Sequence, residues 1–213
     1  MGRSLAFFGA FNPPTRAHID LAEYAMRDVG AEDVIFVPSK AIYITEEQKK
    51  GFAFSDADRI RMLAQIASYR SWMRYTDIEM QQSVQPKTYK TLCMLREAGE
   101  DPTLLLGADK LPELDHLWQY IPEIASEFGI VCMDRADLDC DTLIRKSPFL
   151  SSLNIRVVHV PDSYKDFSSS RVRDCLFHLR GLKDELTALL PPELGNLPSD
   201  LLKNQGNNNE NLC

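Results

Sequence analysis

Apolar residues recur along this chain in two alternating rhythms. Apolar runs, SLAFFGAF (4–11), DVIFVPS (33–39), TLLLG (103–107) and EFGIVCM (127–133), and the more mixed MRYTDIEM (73–80) and LNIRVVHVP (153–161) read as strands, the first of them buried. Between them lie segments of helical period. RAHIDLAEYAMRDVG (16–30) sets Ile19, Ala22, Met26 and Val29 on one face before a terminating glycine. Ser55 with Asp58 three residues on is a helix start, and 60–66 supplies its apolar stripe. KTYKTLCMLREAGE (87–100) reads as another helix, and a last one is expected to start near Ser168. Strands alternating with helices predict an α/β fold, a doubly wound, mostly parallel sheet with helices on both faces.

No internal repeat divides the 213 residues, so one domain over 1–200 is expected, followed by a polar tail, 201–213, too poor in apolar residues to bury and expected to be disordered. The formal net charge of −7 and a pI near 5.1 argue against a broad electrostatic grip on nucleic acid or an anionic membrane, so any bound anion must be held locally. Five scattered cysteines, Cys93, Cys132, Cys140, Cys175 and Cys213, lack metal-ligand spacing and fit a reduced compartment. No apolar run approaches the ~20 residues of a membrane helix, and the first residues lead into a strand instead of a cleavable leader, which makes the cytoplasm the expected location.

In open α/β sheets ligands bind beyond the carboxyl ends of the strands, so the chemistry is sought in the turns that follow them. GAFNPPTRAH (9–18) holds Gly9, Asn12, Thr15 and His18; Lys49 and Lys50 follow the second strand; Gly107 and Asp109 follow TLLLG; SSSRVR (168–173) opens the last helix. A glycine after a strand admits phosphates to the backbone, and a helix start offers them free N–H groups and a positive dipole end.

These turns resemble the signatures of the HxGH nucleotidyltransferases. GAFNPPTRAH is similar to G-x-F-D-P-x-H-x-G-H, and SSSRVR to S-S-T-x-x-R. GADKLPELDHLW (107–118), KTYKTL (87–92) and DRIRML (58–63) narrow the resemblance to nicotinate and nicotinamide mononucleotide adenylyltransferases, in the right order over roughly residues 4–180. Asn12, Thr15 and Ala17 depart from the family's aspartate, histidine and glycine; His18 is kept. The segment 39–59 lacks the P-P-H-K loop of many bacterial members and looks more like a eukaryotic lysine-glycine loop.

The resemblance implies a Rossmann-like nucleotidyltransferase fold and transfer of AMP from ATP to nicotinate or nicotinamide mononucleotide, with release of pyrophosphate. His18, Arg173 and Thr15 would carry catalysis, and Gly9, Ala10, Phe11, Asn12, His18, Gly107, Asp109, Ser168, Ser169, Ser170 and Arg173 would bind ATP. Lys49, Lys50, Thr88, Trp118 and Arg135 would face the mononucleotide. Mg²⁺ would arrive on the ATP phosphates with no metal site of the protein's own, and homo-oligomerisation is left open. Structural readings stand beside each of these. SSSR is also an ordinary N-cap cluster, Asp109 a cap, Trp118 a core residue spaced with Leu114 and Ile121, and Lys49, Lys50 and Arg135 solvated charges. His116, His159 and His178 show no partner pattern and read as structural. Two alternatives remain: another adenylyl or cytidylyl transferase of the superfamily, or a catalytically weakened nucleotide-binding sensor or scaffold.

Overall fold

The computed structural model describes residues 2–134, 138–164, 167–177 and 183–210. Six strands, β1 (Ser4–Gly9), β2 (Asp33–Pro38), β3 (Met73–Tyr75), β4 (Pro102–Gly107), β5 (Ile130–Met133) and β6 (Ile155–Val158), form one sheet in the order β3-β2-β1-β4-β5-β6. Every neighbouring pair is parallel. The helices are α1 (Arg16–Val29), α2 (Asp56–Ala67), α3 (Thr88–Glu97), α4 (Ile121–Glu127), α5 (Cys140–Lys146), α6 (Pro148–Ser151), α7 (Ser169–Phe177), α8 (Lys183–Leu189) and α9 (Leu197–Glu210).

The period-2 alternation along each strand splits the apolar residues into two cores. Leu5 and Phe7 of β1 join Val34, Phe36, Leu105 and Val131 under α1, α2 and α7. Ala6 joins Ile35, Val37, Leu104, Leu106 and Cys132 under α3, α4 and α5. The chain runs outward from β1 to β3 and then returns to place β4 on the other side of β1, so the order reverses at the β1/β4 boundary. A crevice opens there beyond the carboxyl ends of the strands, the place such folds use for ligands.

Local signals explain the element ends. Thr15 caps α1 and Gly30, at φ 70°, ends it in the left-handed conformation. The Ser55 side chain accepts from Asp58 N to start α2, as its spacing predicts. MRYTDIEM is a strand only over Met73–Tyr75, because Met80 N turns back to Asp77 O and Ile78 N bonds the Thr76 hydroxyl. EFGIVCM starts late: Glu127 closes α4, and Gly129 at φ 78° breaks the chain before Ile130. The structure carries α9 into the polar tail as far as Glu210. Among the described residues no helix is long and apolar enough to cross a membrane.

Candidate active site

A cleft of about 560 Å³ occupies the β1/β4 crevice, and it gathers turns that are far apart in sequence. Gly9, Ala10, Phe11, Thr15, His18, Lys50, Thr88, Gly107, Asp109, Trp118, Ser168, Ser169, Ser170 and Arg173 all line it. His18 and the residues of α7 enter from the α1/α7 side of the sheet, whereas Thr88 and Trp118 enter from the side covered by α3 and α4.

His18 is the third residue of α1, and its ring is folded back on its own cap. The Thr15 backbone N–H donates to Nδ1 at 3.0 Å, and Thr15 Oγ1 lies 2.7 Å from the same nitrogen. A backbone N–H can only donate, so Nδ1 accepts and the proton is assigned to Nε2, the edge left for the cleft. Burial, and secondarily the charge of Lys50, lowers the His18 pKa from 6.5 to about 4. The imidazole is therefore neutral near pH 7 and offers one N–H. The Phe11 ring meets it edge-to-face at 5.3 Å and itself packs on Phe7 and Phe36. Thr15 is fully buried, and its hydroxyl, engaged by His18, holds the histidine ring.

Other expectations are redirected in the same way. Asn12 does not line the cleft: its side chain is fully buried, with Nδ2 donating to Phe52 O at 2.7 Å and Oδ1 accepting from Phe54 N at 2.8 Å. Lys49, at φ 52°, is exposed and outside the cleft, while its neighbour Lys50 is inside. The space a Cβ on Gly9 would take is filled by Phe11, whose Cζ lies 3.0 Å away, so this glycine makes room for the protein's own ring. At Gly107 the corresponding position lies 2.8 Å from Asp109 Oδ1. Arg135 and His178 lie outside the described residues.

The N-terminal turn and the start of α7 are bolted together across some 160 residues of chain. Ser169 Oγ donates to Pro13 O at 2.8 Å, and Arg173 Nη1 donates to Asn12 O at 2.8 Å while Nη2 reaches Ser170 Oγ at 3.0 Å. Ser168 Oγ accepts from Arg171 N, so the N-cap reading of SSSR also holds. Among the described residues Arg173 has no carboxylate within ion-pair distance, and burial lowers its pKa. Lys50 is also pushed down, by burial first and then by the charges of Arg173 and Lys110. Three cations thus crowd one region of a protein whose net charge is −7. Asp109 and Glu113 partly balance it by pairing with Lys110, and a bound anion would add to that balance.

Several contributors carry weaker sequence signals. Arg59, inside DRIRML, is fully buried; it donates to Ala10 O at 2.8 Å and Phe54 O at 3.3 Å and pairs with Asp56 at 2.6 Å, bracing the first turn from below. Lys110 pairs with Glu113 at 2.8 Å, and the Trp118 Nε1–H points to the same carboxylate at 3.5 Å. Trp118 also packs against the second core, so it serves cleft and core together. Glu79 and Gln85 line the cleft from the segment between β3 and α3, where no motif flags them. Asp134, directly after β5, lines it too, and its place at a strand's carboxyl end is the signal that could have found it.

Comparison with known proteins points the same way as the geometry. The model of the cytidylyltransferase-like family matches residues 6–175. The chain is 30% identical over 181 residues to a probable nicotinate-nucleotide adenylyltransferase of Dehalococcoides mccartyi, covering 82% of this chain and 85% of that one. It is 26% identical over 183 residues to a nicotinamide/nicotinic acid mononucleotide adenylyltransferase of rice, covering 79% and 74%. In fold it resembles the nicotinic acid mononucleotide adenylyltransferase of Plasmodium falciparum complexed with NaAD, with a TM-score of 0.71 at 18% identity over 96% of each chain.

Proposed function

The chain belongs to the cytidylyltransferase-like family, and on that premise we propose that it is an adenylyltransferase joining AMP from ATP to nicotinate or nicotinamide mononucleotide and releasing pyrophosphate. The observation that carries this reading is the bolting of the His18 turn to the α7 start, which sets a neutral N–H donor and an unpaired guanidinium on one cleft. The named activities of the relatives in rice and Dehalococcoides mccartyi support the same reaction.

In this reaction an oxygen of the mononucleotide phosphate attacks the α-phosphorus of ATP, the bond to the β-phosphate bridge breaks, and the electron pair leaves with pyrophosphate. Transfer of this kind asks the protein for alignment and for fixed positive potential around the transferring group. The His18 Nε2–H would donate to the α-phosphate oxygens, with Thr15 holding the ring. Arg173, whose planar fork suits phosphate, and Lys50 would receive the charge that develops on the leaving pyrophosphate. Asp109 would accept from ribose hydroxyls of ATP. Thr88 and Trp118, on the opposite wall, would hold the mononucleotide, the indole against its ring. Lys50 is proposed here for the phosphates and not for the mononucleotide, a reading supported by its charge being felt at His18 and by Arg173 standing among its charged neighbours with Lys110, Asp109 and Glu113.

Among the described residues no three ligating side chains come together as a metal cage. Mg²⁺ would arrive with the ATP substrate and would supply further charge neutralisation there. Free Cys93, Cys132, Cys140 and Cys175 support a cytoplasmic setting. Pyrophosphate release from MgATP, measured with each mononucleotide in turn, tests the reaction. Turnover with at least one of them is expected, and no release with either overturns the assignment.

A further inference from the structure

Glu79 is a buried carboxyl with no role in the transfer just described. It is 2% exposed, yet it lines the cleft between β3 and α3 together with Gln85 and Thr88. Its two oxygens are both used: Oε1 accepts from Thr91 Oγ1 at 2.8 Å, and Oε2 accepts from Gln85 Nε2 at 2.5 Å. The other end of the Gln85 amide is fixed as well, because its Oε1 accepts from Lys40 N at 2.8 Å. Lys40 then reaches over with Nζ to Met80 O at 2.8 Å and Gln82 O at 2.7 Å. One carboxylate therefore knots together the end of β2, the loop 80–87 and the first turn of α3, where Thr91 stands one turn after Thr88.

The chemistry of the knot demands an oxygen acceptor at residue 79 facing Gln85. Gln85 must turn its oxygen to the Lys40 N–H, which leaves its NH₂ facing Glu79, and the Thr91 hydroxyl donates from the other side. Residue 79 must therefore accept from Gln85, whereas the Thr91 hydroxyl, which can donate or accept, adapts to the carboxylate, the carboxylic acid or an amide. Burying a carboxyl is costly, and burial indeed raises the Glu79 pKa to about 7. The cost is borne where the loop 80–87 forms the wall that carries Thr88.

We propose that Glu79 is a positioning residue for the acceptor mononucleotide: it holds the loop 80–87 and the start of α3 in the shape that receives this substrate, and leaves the ATP side unaffected. The inference rests on the assignment of the Thr88 and Trp118 wall to the mononucleotide. A structural role alone would not separate the two substrates.

The test is a set of titrations of nicotinate mononucleotide, nicotinamide mononucleotide and ATP into wild type, Glu79→Met and Glu79→Gln, with KM values and melting temperatures alongside. Glu79→Met leaves Gln85 Nε2 and Thr91 Oγ1 without their acceptor and is expected to weaken the bound mononucleotide about tenfold, on the scale of a lost buried hydrogen bond, with ATP affinity within twofold. Glu79→Gln keeps an oxygen for Gln85 and turns its NH₂ to the Thr91 hydroxyl, so it should retain most of the wild-type affinity. Equal weakening of both substrates, unchanged mononucleotide affinity in Glu79→Met, or a Glu79→Gln variant as weak as Glu79→Met each overturns the inference. Wild type that binds neither mononucleotide overturns it together with the proposed reaction, whereas wild-type turnover with an indifferent Glu79→Met overturns the inference alone.

Discussion

At the scale of single residues, the state of His18 decides what kind of help the cleft can give. Its pKa of about 4 makes it an uncharged donor throughout the neutral range, comparable to the neutral electrophilic imidazoles of other enzymes. His18→Ala is expected to lower kcat by roughly two to three orders of magnitude, the scale of one preorganised donor, with a small change in ATP affinity. A normally folded alanine variant with near-full turnover would refute the role. Arg173 offers a second test, because its fork already spans Asn12 O and Ser170 Oγ. Arg173→Lys keeps the charge and loses the fork, so kcat/KM should remain at least tenfold down; a lysine variant equal to wild type would reduce this residue to a helix-surface charge. Each sits in a contiguous motif of the sequence, and the structure brings both to the same cleft. What Thr15 and Asn12 bond was not legible in the same motif, since it is decided by Phe52, Phe54 and the fold of His18.

At the scale of elements, readability followed local signals. β1, α1 and α2 announced themselves through apolar runs, the Thr15 and Ser55 caps and Gly30, and they stand where those signals put them. α4 did not: it begins after Tyr120 at φ 63° with Pro122 in its first turn, and its seven residues are too short for a periodic stripe to emerge. The brace under the first turn was equally hidden. Arg59 looks like one more helix charge, and only the fold buries it between Ala10 O, Phe54 O and Asp56. Asp56 also accepts from Ala41 N, so one buried guanidinium ties α2 to the segment after β2 and to the His18 turn. Arg59→Met would strip three acceptors of their donor at once. A loss of about 3–5 kcal/mol in unfolding free energy is expected, on the scale of a broken buried pair, read by urea titration. A methionine variant as stable as wild type would show that the Ala10 turn holds itself.

At the scale of the whole molecule, two buried titrating groups on opposite walls of the cleft oppose each other in how stability depends on pH. His18 binds its proton near pH 4 in the folded chain and 6.5 when unfolded, so between those values the unfolded state holds more protons and folding weakens as pH falls. Glu79 is the reverse. Its folded pKa is about 7 and its ordinary value 4.5, so the folded state holds the extra proton in that window and folding weakens as pH rises. Between about pH 4.5 and 6.5 the two slopes have opposite signs and each is at most about 1.4 kcal/mol per pH unit, so they largely cancel in wild type. Single variants should uncover them. Relative to wild type, His18→Ala should gain stability as pH is lowered from 6.5 towards 4, and Glu79→Gln should gain as pH is raised from 4.5 towards 7. Unfolding free energies taken by urea titration across pH 4 to 8, and expressed as variant minus wild type, remove the contributions of the other carboxylates common to all three proteins. Difference curves of opposite slope are the expected result. A flat curve for either variant would mean that its group titrates in the folded chain as it does in water, and for His18 that would withdraw the neutral donor on which the proposed chemistry depends.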